Sequence, residues 1–69
     1  MDLQELTTRF TYHAVKETQA ERYKSIRGLA KELAYVFDNL CPESRELSLA
    51  FTKLEEAVMW ANAAIARRE

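Results

Sequence analysis

Sixty-nine residues with a formal net charge of −1 make one small domain without bulk basic character. That balance argues against a non-specific DNA or RNA binder, which carries a strong positive excess. A chain this short is marginal alone and needs a staple. The single cysteine, Cys41, allows no internal disulfide, and one His with one Cys cannot close a four-ligand zinc site, which leaves oligomerisation. No apolar run approaches the length of about 18 residues that a membrane span requires. The acidic start Met1-Asp2-Leu3-Gln4-Glu5-Leu6 is unlike a signal peptide, and the lone thiol fits a reducing compartment. A soluble intracellular protein is expected.

Residues 1–15 are predicted to form an arm and residues 16–69 a helical hairpin. Asp2 to Thr8 has room for a short turn of helix. Thr7-Thr8-Arg9-Phe10-Thr11-Tyr12 is rich in β-branched and aromatic residues and reads as extended. In an extended arm Phe10 and Tyr12 point one way, and Arg9 and Thr11 the other.

The first long helix is predicted over 18–40. Thr18-Gln19-Ala20-Glu21 has the capping-box form, a hydroxyl followed three residues later by a carboxylate. Tyr23, Ile26, Ala30, Leu33, Phe37 and Leu40 then recur at spacings of 3, 4, 3, 4 and 3, a seven-residue repeat. Pro42 stops this helix, because proline disfavours helical geometry in the residue before it. Residues 41–44 form the turn. Ser44 is a suitable N-cap for a second helix over 45–67, with Glu46 near the positive end of its dipole. Leu47, Phe51, Leu54, Val58, Ala61 and Ile65 make its stripe. A short turn makes antiparallel neighbours, each about 35 Å long by the helical rise. The expected fold is all-α: an antiparallel two-helix hairpin with an extended N-terminal arm, assembling into a compact homo-oligomer.

Self-assembly is also suggested by apolar residues off the stripe. At about 100° per residue, Leu49 and Trp60 fall on the back of the second helix, Met59 on its flank and Tyr35 opposite the stripe of the first. An exposed apolar patch on a small protein marks an interface. Asn62 is polar within a mostly apolar run and is expected to make a helix–helix hydrogen bond that sets register.

Two groups of residues could hold a ligand. Lys24, Arg27 and Lys31 share one face of the first helix, roughly 125° from its stripe. Gly28 stands beside Arg27 in mid-helix, at a cost of about 1 kcal/mol against alanine. The face is either a solvated basic surface with an incidental glycine or a phosphate-binding surface that the glycine keeps open. Phe10, Tyr12 and His13 offer rings on which bases could stack, each worth roughly 1–3 kcal/mol. Both rings could instead anchor the arm in an oligomer. Phe10 fits the anchor reading better, whereas Tyr12, with a polar tip beside His13, fits a ligand. Arg67-Arg68 suit a helix C-terminus through its dipole and are equally open to a ligand role.

Catalysis finds little support. His13 is the only imidazole, the arm offers no obvious carboxylate to orient it, and no Gly-rich phosphate loop or metal-ligand spacing is present. No catalytic residue, metal site or cofactor is expected, and the protein is read as a binder, not an enzyme.

Several segments resemble one phage family: Phe10-Thr11-Tyr12-His13, Glu21-Arg22-Tyr23 with Ile26-Arg27, Cys41-Pro42-Glu43-Ser44-Arg45-Glu46, and above all Leu54-Glu55-Glu56-Ala57-Val58-Met59-Trp60-Ala61-Asn62-Ala63-Ala64-Ile65-Ala66-Arg67. The family is the anti-CBASS cyclic-nucleotide sponges, whose helical-hairpin domain is shared with the Thoeris anti-defence sponges. The resemblance covers residues 9–68. It implies a homohexamer of hairpins in the cytoplasm of an infected bacterial host. Such a protein sequesters cyclic dinucleotide second messengers such as cyclic GMP-AMP, in many relatives cyclic trinucleotides at separate sites too, and does not cleave them. Tyr12 then matches the arm tyrosine that stacks on bases, Arg27 the cation on phosphates, and Arg67 the trinucleotide pocket, with Gly28 and Arg27 nearby. Phe10, His13 and Lys24 complete the candidate set. Many relatives read Tyr-His-x-Pro where this chain has Tyr12-His13-Ala14-Val15, which loosens the arm. The competing reading is a small oligomeric helical module that binds a host protein through Tyr35, Leu49 and Trp60.

Overall fold

A computed structural model describes residues 2–69. It has three helices, α1 (Leu3–Arg9), α2 (Gln19–Leu40) and α3 (Arg45–Arg68), and no strand among the described residues. Helices α2 and α3 pack against each other as a hairpin, and α1 lies at its open end.

The turn between the long helices follows from its sequence. Cys41 is extended, at φ −110° and ψ 141°, as a residue before proline prefers. Its N–H still closes the last turn of α2 on the Phe37 carbonyl at 2.9 Å. Ser44 is extended too, and its Oγ accepts the Leu47 N–H at 3.1 Å, satisfying one of the orphan donors of a helix start.

The seam between α2 and α3 is lined by half-buried residues. Tyr23, Ile26, Ala30, Ala34 and Phe37 come from α2, and Phe51, Leu54, Val58, Ala61 and Ile65 from α3. The rings of Phe37 and Phe51 meet at 6.4 Å between centroids, within the range of favourable aromatic pairs. The seam differs from the predicted stripe at two positions. Leu33 is 42% and Leu40 73% exposed, while Ala34 takes the inner position. A straight helix turns 3.6 residues at a time, so a strict seven-residue repeat drifts off the contact line within a few turns.

The arm departs further from expectation. The short helix allowed for Asp2 to Thr8 is present as Leu3–Arg9, but it takes in Thr7, Thr8 and Arg9, which were expected to be extended. The β-branched residues that suggested a strand instead turn their hydroxyls back on the helix: Thr7 Oγ1 donates to the Leu3 carbonyl at 2.9 Å and Thr8 Oγ1 to Gln4 at 3.0 Å. Arg9 pairs with Glu5 one turn earlier at 3.1 Å. The capping box at Thr18 does not form: Thr18 has helical dihedrals and its side chain caps nothing.

Little of this chain is inside. Leu47 is its only buried apolar residue, at 8% exposure, among those described. The chain exposes 5831 Å², against about 4,450 Å² for a compact monomer of its mass. Its radius of gyration is 15.2 Å, against about 11 Å for a compact domain of this length. Tyr35, Leu49, Met59 and Trp60 are all exposed in the single chain.

Candidate functional site

Residues 10–18 run without regular structure from α1 to α2 and carry the arm rings. Phe10 and Tyr12 are each 85% exposed. They do not share one face. Phe10 lines a concavity of about 460 Å³ with Trp60, Ala64 and Arg68. Tyr12 lines a neighbouring one of about 450 Å³ with His13, Tyr23, Asn62 and Ala66. Arg9 and Arg67 border both. The expected opposition of Arg9 to the rings therefore does not hold, because the helical end of α1 replaces strand alternation with a helical step.

His13 is half-buried, and its Nε2 lies 2.8 Å from the Thr8 carbonyl. A carbonyl only accepts, so Nε2 carries the proton in this contact. That donor holds the bend after α1 closed. Asn62 makes no helix–helix bond through its carbonyl: Oδ1 is buried beside the Tyr12 concavity without a partner.

A third concavity, of about 570 Å³, lies midway along the hairpin. Arg27 and Lys31 stand at its edge over an apolar floor that includes Ala30, Phe51, Leu54 and Val58. The Lys31 ammonium also sits 5.9 Å from the centre of the Tyr35 ring. Lys24 is exposed on α2 and lines none of these concavities. A Cβ on Gly28 would meet nothing within 4 Å, so packing within one chain does not require the glycine. The single chain thus brings Tyr12, Phe10 and His13 to the Arg67 end and leaves Arg27 on the mid-hairpin groove. Met59 borders both the Tyr12 concavity and that groove.

The cations divide by what they already hold. Arg68 makes a two-pronged contact with Glu5, at 2.9 and 2.7 Å. Arg22 does the same with Glu69, at 2.7 and 2.5 Å, and Lys16 Nζ donates to the Glu69 main-chain oxygen. Hydrogen bonds from Arg68 and then Arg9 hold the Glu5 carboxyl down at about 2. The hydrogen bond from Arg22 likewise lowers Glu69. The bonds to Glu5 and Glu69 raise Arg68 and Arg22. Among the described residues, Lys24, Arg27, Lys31 and Arg67 have no ion-pair partner. An unpaired guanidinium keeps its planar donor fork for an incoming phosphate.

Sequence reasoning did not group Arg9, Tyr23 and Asn62 with the arm rings, nor the two clamps Glu5–Arg68 and Arg22–Glu69. The clamps span 63 and 47 residues, and no local pattern announces pairs so distant.

A helical hairpin whose open end gathers exposed rings and an unpaired arginine is the scaffold of a small binding module. The family model for the Acb2/Tad1 hairpin domain matches residues 2–66, and the chain belongs to that family, the anti-CBASS and anti-Thoeris sponges. The family consists of binding sponges rather than enzymes. No curated protein and no solved structure matches significantly. No helix among the described residues is long and apolar enough to cross a membrane.

Proposed function

We propose that this protein is a phage immune-evasion factor that sequesters the cyclic dinucleotide messengers of bacterial CBASS defence, cyclic GMP-AMP among them, without cleaving them. It works in the cytoplasm of the infected host as a homohexamer. A second class of site takes cyclic trinucleotides. Family membership supports the sponge activity, and the observation that carries the finer reading is the division of the cations. Among the described residues Arg27 and Arg67 have no ion-pair partner, while Arg22 and Arg68 are held by carboxylates.

The mechanism is retention. A cyclic dinucleotide presents two phosphates and two bases. Tyr12 offers an exposed ring for stacking, and Arg27 a donor fork for a phosphate. These two residues lie in different concavities of one chain, so a pocket that contains both takes Tyr12 from one protomer and Arg27 from another. The surface in excess of a compact monomer supports assembly, and so do the exposed Tyr35, Leu49, Met59 and Trp60. Gly28, with open space around it, lets a second backbone or a phosphate approach α2. The trinucleotide site draws on Arg67.

Titration calorimetry of the assembled protein with cyclic GMP-AMP tests this reading. Tyr12→Ala and Arg27→Ala are each expected to weaken binding at least a hundredfold, about 2.7 kcal/mol, with oligomer mass unchanged by light scattering. Undiminished binding by both assembled variants would refute the shared pocket. No uptake by the parent would favour the host-protein module.

A further inference from the structure

We propose that Gln19 is the positioning residue that fixes the Tyr12 loop against the Arg67 end of α3, a role that rests on the sponge reading above. Gln19 is the most buried side chain described, at 2% exposure, and Leu47 is the only other buried one among the described residues. Buried amides persist where both of their ends are used.

Both are used here, and by different elements. Gln19 Oε1 accepts the Lys16 N–H at 3.0 Å. Gln19 Nε2 donates to the Ile65 carbonyl at 3.2 Å. Lys16 lies three residues after His13, and Ile65 two residues before Arg67. One amide therefore joins the trailing side of the loop to the turn of α3 that carries Arg67. The Ile65 carbonyl belongs to the last turn of α3, where helix carbonyls lack intrahelical partners, so the bond also completes that helix end.

The leading side of the loop is tied to the same place. His13 holds the Thr8 carbonyl, and Glu5 of α1 holds Arg68. Between these ties Phe10 and Tyr12 project into solvent from a base fixed on both flanks. Pre-ordering a loop lowers the entropy that binding must overcome. The outer tie uses exposed charges, whereas the inner one is a buried amide between two main-chain groups, with the Glu69 carboxylate and the Lys16 ammonium nearby.

The site needs an amide. Methionine would fill the same space and make neither bond. An ionised glutamate would still accept from Lys16 but could not donate to Ile65. Protonation would restore that donor.

The test uses the full chain, with cyclic GMP-AMP as the probe. Gln19→Met is expected to keep the oligomer mass, to exchange the Lys16 amide at least tenfold faster, and to bind at least tenfold more weakly. Gln19→Glu is expected to bind like Gln19→Met at pH 8 and to gain at least fivefold over it by pH 5. A purely structural role would not produce that pH-dependent gain in assembled protein. A parent that takes up no cyclic nucleotide defeats the sponge reading, and this role with it. A parent that binds while Gln19→Met binds within threefold defeats the positioning role alone. Loss of assembly in both variants also overturns it, because Gln19 would then hold the fold rather than aim the loop.

Discussion

The two ends of the hairpin are closed in different ways. At the turn end, everything is local: Pro42 stops α2, Cys41 is extended before it, and Ser44 caps α3 from three residues away. At the open end, the closing contacts join residues 46 to 63 positions apart: Gln19 to Ile65, Arg22 to Glu69, Glu5 to Arg68. The local end carries no candidate ligand residue. The long-range end carries Phe10, Tyr12, His13 and Arg67. Candidate ligand rings on a loop need a scaffold that places them, and here distant partners supply it.

That contrast can be probed by loosening one end at a time. The largest effect is the loss of dinucleotide binding in Tyr12→Ala and Arg27→Ala, which leaves both ends folded. Next comes Leu47→Ala at the turn end, where the only buried apolar side chain among those described sits directly after the cap. Its truncation is expected to cost about 2–3 kcal/mol, read from urea unfolding of the oligomer at fixed protein concentration. Ser44→Ala removes the cap and should cost about 1 kcal/mol, with ligand affinity per folded oligomer unchanged. An affinity loss beyond threefold in Ser44→Ala would show that the two ends are coupled.

The smallest effect lies in the ionic clamp of the open end. Glu5 has its folded value lowered to about 2 from an ordinary 4.5. A lowered carboxyl stabilises the docked α1 fully above pH 4.5, and that contribution disappears as pH falls toward 2. Both partners are exposed and screened by solvent, so the contribution is small. Amide exchange across Leu3–Arg9 should be flat between pH 7 and 5, after correction for intrinsic rates, and lose protection only below that. Glu5→Gln should remove the acid dependence. Loss of protection near pH 6 would assign the docking to another group.

The hairpin was legible because its signals are short-range. Apolar spacing marks the seam of α2 and α3, and Ser44 announces its cap within three residues. The misses came from side chains with two uses. Thr7 and Thr8 favour strands by type, yet their hydroxyls bond back onto a helix that Glu5 then docks. Thr18 and Glu21 looked like a capping box, yet that cap does not form, and Gln19 between them turns inward to two main-chain partners. Arg67 and Arg68 are identical as letters. Only the position of Glu5 on α1 tells which one is occupied. In the same way the residue types of the candidate site stood out, while the separation of Tyr12 and Arg27 between two concavities did not.

The central claim is that this chain captures a cyclic nucleotide and keeps it whole. It is tested most directly by incubating the protein with cyclic GMP-AMP, removing free ligand, denaturing by heat and chromatographing what is released. The account predicts stoichiometric recovery of the intact cyclic molecule from the parent and none from Tyr12→Ala. Linear or hydrolysed product, or an empty parent, would contradict it.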